Sequence, residues 1–515
     1  MDARAIALLL PDGLSASGAA DRLAALLPVV TQRAHAIDRT FWDTFDGRLQ
    51  RAGLALAEAA GRLVLMDAVT HAEQASAQHP RRARRLLLAD LPAGPLRDRL
   101  AAVVEMRALT PIARLRSRHL PINVLDDVGK IVVRLHAEEP TALPGGERQH
   151  PLRPRLHVVG VRGYDGDLER VLAVLTGDVG LQDAPRPVLD DALAALGRPV
   201  GGTSSKLRIE LDPAARADAA AVTILRRLAD VIETNLPGTL ADVDSEFLHD
   251  LRVAVRRSRA LQRELRGVFS PEPLRVFRDG FRGLQVLTGP TRDLDVQLLE
   301  FGELAAGMGK STAGDVAPLR QLLEQRLVAE RRAMVAGLRS QRTHALLDNW
   351  ADYLAGLVAA PEGDRPDAAR PIADLAAERI GTVYRRMVKM GRAIDDDSPH
   401  EALHDLRKKG KELRYLLEFF SSLYPAEVVK PMVTTLKGLQ DVLGRFQDRE
   451  VQADLLRALG DDIAAMEGGA AALMAMGVLV ERLGEQQQQA RAQFAESFAQ
   501  FAAKPQRKIV TRTFG

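Results

Sequence analysis

The sequence contains no cysteine among its 515 residues. Disulfides, thiolate nucleophiles and cysteine-based zinc sites are therefore excluded, and the composition fits a reducing compartment. No apolar run approaches the roughly 20 residues that a membrane-spanning helix needs. No secretory signal peptide is recognisable either, because the apolar stretch at residues 5–10 is short and ends at Pro11. We therefore expect a soluble cytoplasmic protein with no membrane partner.

Two further features of the composition restrict the candidate functions: few aromatic residues and a low net charge. Aromatic residues make up only 4% of the chain, so stacking platforms for nucleic-acid bases are scarce. The formal net charge is only +3, so the total charge does not indicate a polyanionic partner. Any affinity for an anion must therefore come from basic residues that the fold gathers on one surface.

A cluster of basic residues occurs at residues 247–265, which read FLHDLRVAVRRSRALQREL. Leu248, Leu251 and Val255 recur at spacings of three and four, which predicts an amphipathic helix with one buried face. A second row of residues stands at offsets 0, 3, 7 and 10 from a histidine, within an arc of roughly 80° that borders the buried face. We call this row the first basic stripe; it comprises His249, Arg252, Arg256 and Arg259.

The same pattern occurs again at residues 402–420, which read ALHDLRKKGKELRYLLEFF. The offset between the two histidines is 404 − 249 = 155, and it continues without a gap, so that Gly289 matches Gly444 and Asp293 matches Asp448. An ungapped offset of this length indicates an internal duplication. The second basic stripe comprises His404, Arg407, Lys411 and Arg414. At the same offset Arg275 matches Lys430, and Arg282 matches Lys437.

The periodicity of apolar residues changes along the chain. Before residue 200, short apolar runs alternate with Pro, Gly and Asp, as in strands, and three arginines at period two predict a strand near 112–119 with one basic face. From residue 206 onward the pattern is helical. We predict an α+β or β-barrel domain at 1–200, a linker at 201–205, a first helical half at 206–358, a Pro-rich joint at 359–371, a second helical half at 372–503 and a basic, frayed tail at 504–515.

The individual elements are predicted from the same periodicities. In the first domain we predict strands near 112–119, 130–136 and 155–161, and short helices near 168–176 and 187–196. In the helical region we predict helices near 213–236, 245–266, 272–288, 292–306, 315–356, 371–391, 399–422, 425–443, 447–457 and 468–502.

The helical region resembles the CHAD domain, the conserved-histidine α-helical domain. The family's repeated helix, of the type LHDLRxxxRRxR, stands at residues 248–259 and, as LHDLRKKGKELR, at 403–414. The resemblance implies an all-α fold of two four-helix bundles related by a pseudo-twofold axis. It also implies binding of inorganic polyphosphate in a basic channel and association with polyphosphate granules and their proteins. The residues that it assigns to binding are His249, Arg252, Arg256, Arg259, Arg275 and Arg282 in one half, and His404, Arg407, Lys411, Arg414, Lys430 and Lys437 in the other.

The first domain resembles the CYTH domain, the triphosphate tunnel fold, which often precedes a CHAD domain. Residues 39–56 resemble one of its segments, and residues 111–119 resemble the strand that lines its tunnel with arginines. The family's ExExK strand is missing, since Ala3, Ala5 and Ala7 stand where Glu, Glu and Lys belong. Because a divalent metal on a triphosphate needs carboxylate ligands, we expect a degenerate domain with no hydrolytic activity, metal or cofactor. The arginines that remain as a secondary anion site are Arg114, Arg116 and Arg118.

The motif HExxH, typical of zinc proteases, spans His400 to His404. Position 245, the duplicate of His400, is a serine, so the motif exists in one half only. The nearest acidic residue on the same face, Glu418, lies roughly 21 Å further along the helix. We therefore predict no metal site here.

Rows of arginine suit a linear polyphosphate. Guanidinium groups bind phosphate oxygens in bidentate fashion, and a helical stripe offers one cation about every 4.5–6 Å. We therefore predict a non-enzymatic protein that binds inorganic polyphosphate in a basic groove between the two duplicated halves. Two alternatives remain: an inorganic triphosphatase with a divergent CYTH tunnel, and a nucleic-acid-binding protein, since any cationic groove attracts nucleic acid.

Overall fold

The computed structural model describes residues 5–79, 84–144, 149–306 and 314–515 of the chain. It divides into two compact units, Met1–Ser205 and Lys206–Gly515, which we call the front unit and the helical unit. An antiparallel sheet with short helices forms the front unit, and helices form the helical unit. The predicted fold class, an α+β region followed by an all-α region, is therefore confirmed at this level.

The front unit is built on an 11-stranded sheet in which neighbouring strands run antiparallel. The strands are β1 (Ala5–Leu9), β2 (Val29–Thr31), β3 (His35–Thr44), β4 (Leu54–Ala59), β5 (Arg62–Asp67), β6 (Glu73–Gln78), β7 (Leu109–Leu125), β8 (Ile131–Ala142), β9 (His150–Pro151), β10 (Arg155–Gly160) and β11 (Gln182–Asp183). Their spatial order is β11-β1-β10-β8-β7-β3-β4-β5-β6, with β2 beside β7 and β9 beside β8. The strands predicted near 112–119, 130–136 and 155–161 are parts of β7, β8 and β10.

Helices cover both faces of this sheet. They are α1 (Ala16–Leu26), α2 (Arg48–Arg51), α3 (Pro95–Val104), α4 (Asp165–Gly177) and α5 (Val188–Ala195), of which the last two correspond to the helices predicted near 168–176 and 187–196. Because side chains alternate along a strand, β7 sends Ile122 toward α1 and α4 and sends Leu115 toward α5. The sheet curves around the face that α5 covers, since His71, in the turn after β5, lies 4.9 Å from His157 on β10, measured between ring centres.

The predicted linker at 201–205 is packed against the front unit. Gly202 approaches Gly47 so closely that a Cβ atom on Gly202 would lie 2.3 Å from the backbone nitrogen of Gly47. Both glycines have left-handed backbones, with φ of +72° and +67°, which other residues rarely adopt. The backbone N–H of Thr203 donates to the carbonyl oxygen of Phe45 at 3.0 Å. Glycine is therefore required at this contact by space as well as by conformation.

The helical unit contains α6 (Ala217–Leu240), α7 (Ser245–Glu264), α8 (Pro271–Ala306), α9 (Ala317–Leu338), α10 (Gln341–Gly356), α11 (Ile372–Arg392), α12 (His400–Phe419), α13 (Ala426–Ala458), α14 (Gly460–Ala464), α15 (Gly469–Phe501) and α16 (Lys504–Phe514). Their apolar faces form two clusters. The larger includes Phe281, Trp350 and Phe419, and the smaller joins α8, α9, α13 and α15 around Leu459. Within the ranges that the structure describes, no helix combines the length and the apolar character that a membrane crossing requires.

The two duplicated helices are α7 and α12. Asp244 caps the N-terminus of α7, because its carboxylate accepts hydrogen bonds from the backbone N–H groups of Glu246 and Phe247, at 2.9 and 3.2 Å. The predicted apolar stripe of α7 is confirmed, since Leu248, Leu251 and Val255 are buried. The stripe of α12 is buried in the same way, at Leu403, Leu406, Leu413 and Leu417, as is Phe420 directly after the helix.

Three helix boundaries differ from the sequence prediction. Helix α8 runs through Pro290, where we predicted a break, and α13 is likewise one helix instead of two. A proline removes one backbone hydrogen bond, but Thr288 and Thr291 on either side of it are fully buried, so tertiary packing maintains the helix. The single helix predicted near 315–356 is instead two, because Ser340 caps α10 by accepting a hydrogen bond from the backbone N–H of Thr343 at 3.3 Å.

The prediction of a frayed tail at 504–515 was wrong. These residues form α16, whose Val510 and Phe514 are buried. The two residues stand four apart, so they lie on one side of the helix, and the ring centre of Phe514 is 4.8 Å from that of Tyr424. The apolar side of the tail therefore anchors it to the helical core.

Candidate anion-binding site

The duplicated helices α7 and α12 contact each other through two symmetric ion pairs. Arg263 donates to Glu412 at 3.1 Å, and Arg257 donates to Glu418. The duplication maps Arg257 onto Glu412 (257 + 155) and Arg263 onto Glu418 (263 + 155). Each pair is therefore the image of the other with the charges exchanged, which is the pattern that a twofold axis between the helices produces.

The first basic stripe lies between α7 and α8. Arg252 donates from Nη1 to the carbonyl oxygen of Gln285 at 3.0 Å and to the hydroxyl of Thr288 at 2.9 Å. Arg259 donates to the side-chain oxygen of the same Gln285. Burial is the main reason why the pKa of Arg252 lies below its ordinary value. Neutral oxygen acceptors thus orient Arg252 and Arg259, and the charge of Asp293 also acts on Arg252.

Carboxylates neutralise part of the second basic stripe. Arg407 donates to Asp448 at 3.0 Å, and Arg414 donates to Glu418 at 2.8 Å. Burial lowers the pKa of Lys411 to about 8, with further contributions from the positive charges of Arg407 and of Arg256 on the first stripe. Lys411 is therefore close enough to both stripes to experience their combined positive charge.

The predicted residues differ in how far they are accessible. Half-buried positions on α7 and α12 are His249, Arg252, Arg256, Arg259, His404, Arg407, Lys411 and Arg414, and exposed positions on α8 and α13 are Arg275, Arg282, Lys430 and Lys437. His404 forms a hydrogen bond with Gln447, and Arg275 pairs with Glu272 at 2.6 Å. The four residues of each stripe are therefore half-buried, and the four predicted residues on α8 and α13 lie at the surface.

A cavity of about 570 Å³ lies where α7 ends and α8 begins. Its lining includes the buried apolar residues Phe269 and Leu274, and the carboxylates Asp279 and Asp364. We call it the arginine pocket, because six arginines line it: Arg259, Arg263, Arg266, Arg275, Arg278 and Arg282.

The arginine pocket holds more positive charge than its own carboxylates neutralise. Arg263 pairs with Glu264 and Glu412, and Arg275 pairs with Glu272 and Asp279. Burial lowers the pKa of Arg259, and the charges of Arg263, Arg282 and Arg278 lower it further. An anion in the cavity would relieve this repulsion. Among the described residues, no ion pair involves Arg259, Arg266, Arg278 or Arg282.

Sequence reasoning missed half of the arginine pocket. Arg278 stands between Arg275 and Arg282 at helical spacing, so the periodicity of α8 contained a signal for it. Arg263 is one turn beyond Arg259 on α7, whereas Arg266 lies in the short 3-10 turn Arg266–Val268 that follows. The position of Arg266 depends on how this turn packs, which no periodicity reveals.

Comparison with known proteins identifies the helical unit. Residues 223–457 match the family model of the CHAD domain. The chain contains a CHAD domain. This finding confirms the resemblance predicted from the two LHDLR helices, which both lie inside the matched range.

Relatives of the chain fall into two groups. The chain is 25% identical over 468 residues to an uncharacterized protein of Mycobacterium tuberculosis, in strains CDC 1551 / Oshkosh and ATCC 25618 / H37Rv, with 85% of this chain and 86% of the relative covered. A solved structure of the CHAD domain from the plant Ricinus communis is 24% identical, with a TM-score of 0.48, and covers 57% of this chain and 96% of that chain. PptA from Streptomyces chartreusis is 18% identical, with a TM-score of 0.44, and covers 55% of this chain and 99% of that chain.

The front unit, outside the range of the CHAD match, contains a buried polar cluster that sequence reasoning also missed. Glu138 is fully buried and accepts hydrogen bonds from Arg39, from the hydroxyl of Ser117 at 2.7 Å and from Nε2 of His157 at 2.8 Å. Burial alone would raise the pKa of Glu138, but the hydrogen bond from His157 and the charge of Arg39 hold this pKa far below its ordinary value. The pair Glu138-Glu139, just beyond the strand predicted near 130–136, was the available signal.

The three arginines of β7 lie on the opposite face of the sheet from this cluster. Arg114, Arg116 and Arg118 are exposed, whereas Ser117 and His119, at alternate positions, face Glu138. Arg116 pairs with Asp38 at 2.7 Å, and Arg118 pairs with Glu139 at 3.2 Å. The expectation that this strand lines an interior with arginines is therefore corrected, because strand alternation directs them outward.

Proposed function

We propose that this protein binds inorganic polyphosphate through the basic surface of its CHAD domain. The observation that carries the proposal is the arginine pocket, in which Arg259, Arg266, Arg278 and Arg282 form no ion pair among the described residues. Guanidinium groups bind phosphate oxygens in bidentate fashion and remain charged at any physiological pH. A chain of phosphates would supply the negative charge that the pocket lacks.

The lining of the pocket favours polyphosphate over nucleic acid. Proteins that bind single strands without sequence preference combine a basic groove with aromatic platforms for the bases. The aromatic residue among those that line the pocket, Phe269, is only 1% exposed, so it offers no face for stacking. This lining supports a phosphate chain over a nucleic acid as the ligand.

We propose further that this role is binding and not catalysis. Strand β1 carries Ala5 and Ala7, where a tunnel triphosphatase has acidic and basic residues, and Ala3 lies outside the described residues. The buried carboxylate of Glu138 is engaged by Arg39 and His157, so its charge is already compensated. In this proposal, affinity for polyphosphate places the protein on polyphosphate granules beside their resident proteins.

Calorimetric titration of polyphosphate into the full chain, at two salt concentrations, tests the proposal. We expect binding that weakens as the salt concentration rises, because the contacts are ionic. A triple variant with Arg266→Ala, Arg278→Ala and Arg282→Ala should bind at least about tenfold more weakly, which corresponds to about 1.4 kcal/mol. Its thermal melting should be unchanged, since none of these exposed arginines forms an ion pair among the described residues.

The control removes three other arginines of the helical unit, through Arg320→Ala, Arg326→Ala and Arg457→Ala, whose side chains are 62%, 42% and 59% exposed and each pair with a carboxylate. This variant should bind as the wild type does. No binding by the wild type, or equal losses in both triple variants, would contradict the proposal. Two parallel assays separate the alternatives: magnesium-dependent release of phosphate from tripolyphosphate would indicate a triphosphatase, and displacement of polyphosphate by single-stranded DNA at fixed salt would indicate a nucleic-acid binder.

A further inference from the structure

The internal duplication allows each residue of the arginine pocket to be compared with its counterpart in the second half. Three of the six arginines have basic counterparts: Arg259 matches Arg414, Arg275 matches Lys430, and Arg282 matches Lys437. The other three do not: Arg263 matches Glu418 (263 + 155), Arg266 matches Ser421 (266 + 155), and Arg278 matches Val433 (278 + 155).

The second half therefore has a different charge at the corresponding place. At these positions the first half has six arginines and the carboxylate Asp279, whose counterpart is Thr434 (279 + 155), and the second half has three basic residues and the carboxylate Glu418. That carboxylate, Glu418, accepts hydrogen bonds from Arg414 at 2.8 Å and from Arg257. Arg414, the counterpart of Arg259, is thus already paired with a carboxylate. Among the contacts described, Arg259 itself donates only to the neutral side chain of Gln285.

The arginine pocket is large enough for a short stretch of a phosphate chain. Its volume of about 570 Å³ lies in the range of sites that enclose one small molecule, roughly 300 to 1,000 Å³. The joint between the halves contributes Asp364 and Pro366 to the lining, and the backbone N–H of Asp367 donates to the carbonyl oxygen of Gly267 at 2.9 Å. The pocket is thus a local site and not a groove shared equally by both halves.

We propose that the two halves of the CHAD domain bind phosphate unequally: the arginine pocket of the first half anchors a short stretch of oligophosphate, and its counterpart in the second half does not. This inference rests on the proposed function, because it assumes a phosphate chain as the ligand. It adds which half holds the ligand tightly and how long a stretch is needed. A short oligophosphate and one segment of a long chain present the same chemistry to the pocket.

Charge reversal at one duplicated position tests the inference in the full chain. Arg282 on α8 and Lys437 on α13 are counterparts, both are exposed, and neither forms an ion pair among the described residues. We expect Arg282→Glu to weaken binding of tripolyphosphate and of long-chain polyphosphate by at least about tenfold. Lys437→Glu should weaken either by less than about twofold. Thermal melting of both variants should match the wild type.

A second pair of duplicated positions, Arg266 and Ser421, tests the inference independently of Arg282 and Lys437. Arg266→Ala, in the turn after α7, should weaken binding severalfold, and Ser421→Ala should leave it unchanged. Equal losses from Arg282→Glu and Lys437→Glu would overturn the inference and leave the proposed function standing, because both halves would then hold the chain. Binding of tripolyphosphate that is insensitive to Arg282→Glu would overturn the assignment of a short segment to the pocket. Failure of the wild type to bind either phosphate would overturn the proposed function itself.

Discussion

The guanidinium carbon of Arg257 lies 5.9 Å from the ring centre of Tyr415, on the duplicated helix of the other half. The same guanidinium group donates to Glu418, and both partners are largely buried, with side chains 16% and 22% exposed. A cation held over an aromatic ring and against a carboxylate, away from water, contributes more than either contact at the surface. Arg257 is therefore a main link between the two halves of the CHAD domain.

We expect Arg257→Ala to lower the free energy of unfolding of the helical unit by about 2 kcal/mol, because it removes the cation–π contact and leaves Glu418 with one fewer partner. Urea denaturation followed by the fluorescence of Trp350, in a Trp42→Phe background, measures this change. The control, Arg275→Ala, removes an exposed ion pair with Glu272 and should leave the midpoint unchanged. Equal midpoints for Arg257→Ala and wild type would argue against the link.

The buried carboxylate of Glu138 should be essential to the front unit. Glu138→Ala removes the carboxylate that pairs with Arg39 inside the sheet and leaves this arginine with the hydroxyl of Ser117, and the loss of a buried ion-pair partner typically costs about 3 to 5 kcal/mol. The fluorescence of Trp42 in a Trp350→Phe background reports unfolding of this unit. Glu139→Ala is the matched control: Glu139 pairs with the exposed Arg118 and accepts a hydrogen bond from the backbone N–H of Ala16, so its loss should cost about 1 kcal/mol. Similar losses from both variants would contradict the prediction.

The histidines around Glu138 should make the front unit sensitive to acid. Burial lowers the pKa of His71 and of His119 to about 4, and the charge of Arg39 contributes to both shifts. Between pH 6.5 and 4 the unfolded chain binds protons that the folded chain does not, so stability falls as the pH falls through this window. Below about pH 4.5 Glu138 adds to the loss, because its folded pKa is also lowered.

Urea midpoints from Trp42 fluorescence at pH 7.5, 5.5 and 4.5 measure this acid sensitivity. A His71→Asn and His119→Asn double variant should show a shallower decline between pH 6.5 and 4.5, since two of the groups that take up protons on unfolding are absent. A wild-type midpoint that stays constant over this range would show that these histidines are not held neutral by the fold.

Because of the buried Lys411, the stability of the helical unit should rise as the pH rises above about 8. Burial lowers its pKa from an ordinary 10.5 to about 8, with contributions from the positive charges of Arg407 and Arg256, while Asp448 acts in the other sense. Between pH 8 and 10 the unfolded chain binds a proton that the folded chain does not, so the stability contributed by this site rises with pH. Lys411→Met should abolish this rise and should be more stable than the wild type at pH 7.

Urea midpoints from the fluorescence of Trp350 at pH 7, 8, 9 and 10 measure this change in stability. The control is Lys430→Met, which removes an exposed lysine of the same half. We also expect Lys411→Met to weaken binding of polyphosphate, because a charge kept in the interior at a cost to stability is characteristic of a functional site. If Lys411→Met is more stable than the wild type and binds polyphosphate equally well, Lys411 does not contribute to binding.

Local periodicity was sufficient to predict the two duplicated helices and their buried faces. The spacing of Leu248, Leu251 and Val255 predicted which side of α7 is buried, and the constant offset of 155 predicted its duplicate. These predictions succeeded because a helix fixes the directions of its side chains whatever it packs against. The CHAD domain could be recognised for the same reason, since its two LHDLR helices are continuous stretches of sequence.

The sequence by itself determined the two duplicated helices, their buried faces and the two rows of basic residues. Only the tertiary structure decided which of those residues are neutralised, since Arg407 donates to Asp448 across α12 and α13, whereas the acceptor described for Arg259 is the amide of Gln285. It also decided that Arg266 joins the arginine pocket from a turn, that α8 continues through Pro290, and that the arginines of β7 face away from Glu138. Burial and ion pairing are set by contacts between residues far apart in the chain, which no local pattern contains.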